Sequence, residues 1–166
     1  MKFYSIPFLN YPNQSYSYKL SKKELYERLS SIFEQNSKET NSSQYSGNLS
    51  SNDTFELEIS QIALIKGFLG KTKLVGHISS EGVDQTTIEI NIKPAIGYYV
   101  WFNLGIIFGI VYIFQFIDSR NLNYLFASAF SLLIVPILFV QIFKGYANAL
   151  KERFEKLTAP LNKLKK

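Results

Sequence analysis

Few residue types in this 166-residue sequence could do chemistry, and those present are not spaced for it. The chain has no Cys and one His, His77, so a thiolate nucleophile, a disulfide framework and a multi-His zinc site are excluded. A Ser-His-acid set cannot be argued from one His without a placed partner. Exposed carboxylates such as Glu56 and Glu58 are the residual candidates for a membrane-bound enzyme. We expect a non-enzymatic protein without a cofactor or a metal.

Two further binding chemistries find little support. The segment GFLGKT, Gly67–Thr72, has two residues between its glycines where the phosphate loop GxxxxGK(S/T) has four, and no strong helix follows it. The net charge of +5 lies in the tail from Lys144 to Lys166, where seven basic residues face two acidic ones. This is typical of a segment beside a membrane. No basic stripe or aromatic motif indicates nucleic acid.

Two uncharged apolar runs dominate the second half of the chain. Ala95–Ile117 has 23 residues and Tyr124–Phe143 has 20. As helices they would reach roughly 34 and 30 Å, enough to cross a hydrocarbon core of about 30 Å. The short connection, FIDSRNLNY, predicts an antiparallel hairpin. Lys93 and Lys144 flank the outer ends of the runs, so the positive-inside rule predicts both termini in the cytoplasm.

Two groups of residues in and beside the hairpin have predicted roles. Small residues let helices approach closely, and amphipathic aromatic and basic side chains favour the headgroup level. Helix packing is predicted for Gly97, Gly105, Gly109, Ala127 and Ser131, and contact with the membrane interface for Tyr98, Tyr99, Trp101, Lys144, Lys151, Arg153 and Lys156. The small residues fit packing within the hairpin or homodimerisation, and we favour the first. Pro136 should kink the second helix, and Asn103 should face protein.

The first half of the chain predicts a small α+β domain. Ser21 and Glu24 form a capping box before an amphipathic helix from about Lys22 to Gln35. Alternating apolar residues then predict strands at 55–59, 74–78 and 88–92, with a further strand around 44–50. The helix should cover the apolar face of this antiparallel meander. The first fifteen residues lack the apolar core of a secretory signal, so no cleaved leader is expected.

The predicted organisation has three parts. Residues 1–94 form the cytosolic helix and β-meander, residues 95–143 the transmembrane hairpin (95–117 and 124–143), and residues 144–166 a basic cytosolic tail helix. An apolar stripe in the tail, Tyr146, Leu150, Phe154 and Leu157, has two functional interpretations, beside the simpler one that the tail continues the second helix into solvent. It lies in the membrane interface, or it packs on the β-domain, which we favour because that domain lacks a large core of its own.

The order of these elements resembles a group of uncharacterised small bacterial membrane proteins with an N-terminal α+β cytosolic domain and a two-helix transmembrane hairpin. The resemblance covers about Tyr16 to Leu157. Its motifs are Gly47–Leu49, Phe55–Leu57, Phe68, Gly76–Ile78 and Thr87–Ile92. It implies location in the bacterial inner (cell) membrane and carries no assigned activity or catalytic residues.

Taken from the residues, the expected function is that of a membrane-anchored, non-enzymatic interaction or accessory module, which presents its β-domain at the cytoplasmic face. The alternative is a subunit of an oligomeric transporter or channel. The expected partners are membrane lipid and either a protein on the cytosolic side or further copies of the chain.

Overall fold

The computed structural model describes residues 9–39, 45–50, 53–59, 70–82 and 84–161. Residues 1–8, which bear on the expected absence of a leader, lie outside the described residues. So do Gly67–Leu69, which open GFLGKT and include the Phe68 of the resemblance.

The described chain is α+β, as predicted, with one antiparallel five-stranded sheet. The strands are β1 (Gln14–Tyr18), β2 (Tyr45–Ser50), β3 (Thr54–Ile59), β4 (Lys73–Ser80) and β5 (Thr86–Lys93). Their order is β1-β5-β4-β3-β2, so β2 to β5 form the predicted meander. The N-terminal strand β1 joins at the far side and pairs with β5, with Tyr16 opposite Ile88.

Helix α1 (Lys22–Glu39) begins at the predicted cap and runs four residues further than predicted. The backbone N–H of Glu24 donates to the Ser21 side chain at 3.3 Å. The Glu24 carboxylate does not complete the reciprocal capping box; it binds Arg28 one turn on instead. The inward side chains of α1, which are Leu25, Leu29 and Phe33, are buried against the sheet.

The centre of the core is an aromatic stack built over a glycine. The ring of Phe55 lies above Gly76, its partner across β3 and β4, so closely that a Cβ built on Gly76 would lie 2.1 Å from the ring. Phe154 stacks on Phe55 with centroids 5.6 Å apart and planes at 12°, and Phe33 packs beside it at 5.7 Å. Residues from β3, β4, α1 and the C-terminal helix therefore share one core.

Helix α2 (Ile96–Ser119) follows β5 after only two residues, Pro94 and Ala95. It ends at Arg120, which adopts the left-handed conformation with φ 57° and donates its N–H to the Phe116 carbonyl. Asn121 caps the next helix by accepting from the N–H of Asn123. The predicted connection FIDSRNLNY is thus a turn of two residues between antiparallel helices.

The third long helix runs from Leu122 to Thr158. It consists of α3 (Leu122–Ala129), a π-helical turn (Phe130–Ile134) and α4 (Val135–Thr158). The Val135 N–H donates to the Phe130 carbonyl, five residues back. Pro136, where a kink is predicted, lies two residues after the end of this turn. Proline has no N–H and its ring clashes with the carbonyl four residues before it, so the wider turn accommodates the residue.

The C-terminal half of α4 packs on the same face of the sheet as α1. Phe143, Ala147, Leu150 and Phe154 are fully buried in the core, whereas the predicted stripe residues Tyr146 and Leu157 are half-buried beside it. The apolar stripe of the tail therefore packs on the β-domain, as favoured from the sequence.

A hydrogen bond from β1 also holds α4 to the sheet. The Tyr16 hydroxyl donates to the Glu155 carboxylate at 2.9 Å. Burial raises the pKa of Tyr16, and the hydrogen bond and charge of Glu155 raise it further.

Candidate functional site

Large exposed apolar side chains mark one region of the molecule. Among the described residues, all of them lie between Ile96 and Ile142. The two helices there, Ile96–Ser119 and Leu122–Thr158, are long and apolar enough to cross a membrane, and only 11% of each apolar window is buried. A core helix of a soluble protein would be mostly buried. The longer of the two, Leu122–Thr158, has 37 residues and would reach roughly 55 Å. This exceeds a hydrocarbon core of about 30 Å, so its C-terminal part can extend beyond the membrane and pack on the sheet.

The predicted helix-packing residues lie mainly at the contact between the two helices. A Cβ built on Gly109 would lie 2.3 Å from Leu132, and one built on Gly105 would lie 3.1 Å from Val135. The Ser131 carbonyl oxygen is 3.3 Å from that second position. Gly97 is buried near the start of α2, and Ala127 is half-buried in α3. Both glycines of the motif Gly105-x-x-x-Gly109 therefore pack against the other helix of the hairpin.

The predicted aromatic interface residues take different positions. Tyr98 is fully buried, with its ring edge-on to Phe143 at 5.6 Å, so it packs within protein and offers no surface to lipid. Trp101 is half-buried and stacks on Phe139 at 6.4 Å. Tyr99 is half-buried as well. Tyr98 differs from the prediction because β5 joins α2 so directly that its first turn meets α4.

The predicted basic residues lie on α4. Lys144 and Lys156 are exposed, and Lys151 and Arg153 are half-buried. Asn103 is exposed, whereas it was predicted to face protein. Its side-chain amide donates to the Tyr99 carbonyl of its own helix at 2.6 Å, and this bond reduces the cost of placing an amide in an apolar setting.

The sheet face opposite α1 and α4 is polar, and we call it the polar face. His77, Glu89 and Asn91 are exposed on it, as the alternation predicted for His77. In the register of the sheet, His77 lies between Thr54 and Glu89, and Lys73 lies between Glu58 and Lys93. The Lys73 row is at the end of β5 that leads into α2. The His77 row is four residues away, or roughly 13 Å.

The row nearest α2 contains a network of ion pairs. The Lys73 ammonium lies 2.7 Å from a Glu56 carboxylate oxygen and 3.1 Å from one of Glu58, and Lys71 binds the other oxygen of Glu58. Period-two alternation could have placed Lys73 and the two carboxylates on one face from the sequence. It could not have placed Lys71, which precedes the strand.

The network changes the acid–base character of its members. The Glu58 side chain is only 15% exposed. Burial, the largest single effect, would raise its pKa, but the hydrogen bonds and charges of Lys71 and Lys73 outweigh burial, and the pKa falls below its ordinary value. Hydrogen bonds to Glu56 and Glu58 raise the pKa of Lys73. Both shifts favour the charged forms and move Glu58 away from the neutral range in which a general acid works.

The described residues contain no group of three or more His, Asp or Glu side chains that could hold a metal ion. No protein-family model matches the chain, and no curated protein matches it in sequence.

Proposed function

We propose that the chain is a membrane-anchored, non-enzymatic interaction module of the bacterial inner (cell) membrane that holds its β-domain at the cytoplasmic surface. The observation that carries the proposal is the separation of two surfaces. The large exposed apolar side chains of the described residues are confined to the stretch from Ile96 to Ile142, and the exposed polar face lies outside that stretch. Exposed apolar patches of this extent mark contact with a membrane or a protein.

The connections at the two ends of the hairpin support the proposed orientation. β5 passes into α2 after two residues, and α4 continues from the second candidate span onto the sheet. The β-domain therefore lies on the side of the hairpin opposite the turn at Arg120. Lys93 and Lys144 lie on the β-domain side, while the turn offers Arg120 beside Asp118. The positive-inside rule supports placing the β-domain and both termini in the cytoplasm.

The polar face is the surface we assign to a protein partner. α1 and α4 cover the other face of the sheet, so His77 of β4 and Glu89 and Asn91 of β5 are available for contact. The charged forms of Glu58 and Lys73 are stabilised by one another, which suits a fixed surface for recognition better than proton transfer. We expect a partner with both acidic and basic groups, because the face itself carries both.

The alternative of an oligomeric transporter or channel subunit gains no support from the glycine motif. Gly105 and Gly109 pack against Leu132 and Val135 of the same chain. The two candidate spans also contain no Asp, Glu, Lys or Arg between Ala95 and Ile117 or between Tyr124 and Phe143, so a charged ion path has no residue to carry it there.

The membrane part of the proposal is tested by topology and extraction. A fluorescent reporter that works only in the cytoplasm, fused after Lys166, should be active, and a periplasmic reporter at that position should be silent. The full chain should stay in the membrane pellet after a carbonate wash. Activity of the periplasmic reporter would refute the orientation, and recovery of the chain in the wash would refute insertion.

The docking part is tested by photo-crosslinking in native membranes. A photoreactive residue at His77 should capture a distinct protein, because that position is exposed on the polar face. The control is the same residue at Glu27, which is exposed on α1, on the opposite side of the sheet. Capture of the same proteins at both positions, or of lipid alone at His77, would count against a docking role for the polar face.

A further inference from the structure

A cavity of about 530 Å³ lies where the β-domain meets the first candidate span. Three segments surround it: the stretch 10–13 before β1, the end of β5 from Asn91 to Lys93, and the first turns of α2 at Tyr99. The Tyr11 hydroxyl donates to the Asn148 side-chain oxygen at 2.8 Å, which ties the wall formed by the N-terminal stretch to α4. The cavity is thus bounded by elements that are held to one another.

The lining of the cavity is suited to an anion with hydroxyl groups. Lys93 supplies a positive charge, and Asn10, Asn13 and Asn91 supply amides that donate and accept hydrogen bonds. No carboxylate is among the described residues that line it. Lys binds phosphate as a point charge where no bidentate Arg is present, and side-chain amides can donate to the remaining oxygens.

The charge of Lys93 is available to a ligand. In the part of the chain that the structure describes, Lys93 forms no ion pair, while its cross-strand neighbour Lys73 is bound to Glu56 and Glu58. Both carboxylates belong to β3, which is separated from β5 and Lys93 by β4. A ligand phosphate would meet a cation that forms no ion pair with any acid of the described residues.

The position of the cavity relative to the apolar helices indicates the source of such a phosphate. Two residues separate Lys93 from the start of α2, and Ile96, the first residue of that helix, is 62% exposed and apolar. Val100, one turn on, is exposed as well. The cavity therefore lies where polar chain gives way to the exposed apolar band, which is the level of lipid headgroups once the hairpin is inserted.

We propose that this cavity binds the headgroup of an anionic phospholipid of the phosphatidylglycerol type, with the phosphate at Lys93, the headgroup hydroxyls at the amides, and the acyl chains along α2. A headgroup with an ammonium is disfavoured because the cavity offers Lys93 and no carboxylate to receive it. The inference rests on the proposed insertion of the hairpin. It shares Asn91 with the polar face, whereas His77 and Glu89 of that face do not line the cavity.

The test is lipid retention by the full chain in nanodiscs made from equal parts of phosphatidylglycerol and phosphatidylethanolamine with identical acyl chains. After gentle release, native mass spectrometry counts the lipids that stay bound. Wild type should retain phosphatidylglycerol selectively. Lys93→Gln should reduce that selectivity about tenfold, the effect of one hydrogen bond to a charged group. The matched control, Lys144→Gln, removes the same charge from an exposed position beside the second span that does not line the cavity.

A second variant guards against an effect on folding. Asn91→Asp keeps the size of an exposed side chain and places a negative charge in the cavity, so it should also reduce selectivity for phosphatidylglycerol. Equal losses in all three variants would indicate general surface attraction, and unchanged selectivity in Lys93→Gln and Asn91→Asp would leave the cavity without a role. Either result overturns the proposal.

A soluble ligand is distinguished by a separate arm. Binding of glycerol 3-phosphate by the delipidated chain, lost in Lys93→Gln and accompanied by no selective lipid retention, would assign the cavity to a soluble phosphate ester and overturn the lipid assignment. The carbonate wash is performed on the membranes from which each variant is purified. Failure of insertion would appear there, and failure of headgroup selection would appear only in the retained lipids.

Discussion

Replacing Phe154 by Ala should destabilise the β-domain severely, although this residue lies far along the chain from every strand. Its ring is fully buried, stacked on Phe55 at 5.6 Å and tilted against Tyr16 at 5.4 Å. Truncation of a buried Phe to Ala costs about 3–5 kcal/mol. Domains of this size are stable by about 5–15 kcal/mol in total, so the change removes a large share of the stability of the sheet.

Amide hydrogen exchange of the full chain in nanodiscs measures this effect locally. A loss of about 3–5 kcal/mol corresponds to roughly 10²- to 4 × 10³-fold faster exchange in β3 and β4, where exchange reports opening of the core. Exchange in the middle of α2 should be unchanged, because Phe154 makes no contribution to packing within the hairpin. Phe154→Leu should have a smaller effect, since it keeps much of the apolar volume.

The matched control is Lys156→Ala, two residues on in the same helix and exposed. A surface change of this kind is expected within about 0.5 kcal/mol of wild type. Should Phe154→Ala and Lys156→Ala exchange alike in β3 and β4, the packing of the C-terminal helix on the sheet would be refuted, and with it the single core shared by residues from both ends of the chain.

Three further predictions concern packing and pH. Gly109→Ala should destabilise the hairpin by about 1–3 kcal/mol because its Cβ overlaps Leu132. Gly145→Ala, in open space on α4 just beyond the hairpin, should stabilise that helix by up to about 1 kcal/mol. Denaturation in detergent that ranks the two variants the other way would contradict the packing. The pKa of Glu58 is lower in the folded chain than its ordinary value of 4.5. The stabilising contribution of the Glu58 carboxylate is therefore present above pH 4.5 and is lost as the pH falls through the folded pKa. The loss of stability with falling pH, followed by circular dichroism, should be shallower for Glu58→Gln, and an unchanged slope would contradict this. The pKa of Tyr16 is higher in the folded chain than its ordinary value of 10.0. The contribution of the Tyr16 hydroxyl to stability is therefore complete below pH 10.0 and is lost as the pH rises beyond that value. Tyr16→Phe should weaken the loss of stability at alkaline pH in the same assay, and a steeper loss would contradict the expectation.

Local patterns were sufficient to predict the elements but not their partners. Alternation identified β3, β4 and β5, and the Ser21 cap identified the start of α1, because both signals depend on neighbours within a few residues. The pairing of β1 with β5 joins Tyr16 to Ile88, a contact between distant parts of the chain that no periodicity records. The five-stranded order therefore came only from the structure.

Two side chains show why the site was harder to predict than the fold. Tyr98 has the residue type and position of an interface aromatic, but Phe143 of the other helix covers it, and the rotation of two helices about one another cannot be read from composition. Lys93 was predicted only as a flanking charge. Its position in a cavity depends on the stretch 10–13, which precedes it by about eighty residues.

The π-helical turn sets the rotational phase between the two halves of the third helix. Two α-helical turns take about seven residues, yet buried Ser128 and buried Pro136 are eight apart, with the bond from Val135 to Phe130 between them. The extra residue keeps Ser128 and Pro136 on the same face of the helix, and Phe143 lies on that face where the helix meets the sheet. Removing a single residue from the π-helical turn would rotate the rest of the helix by about 100°. A chain shortened by one residue would therefore pack its helix correctly in the hairpin or on the sheet, but not in both.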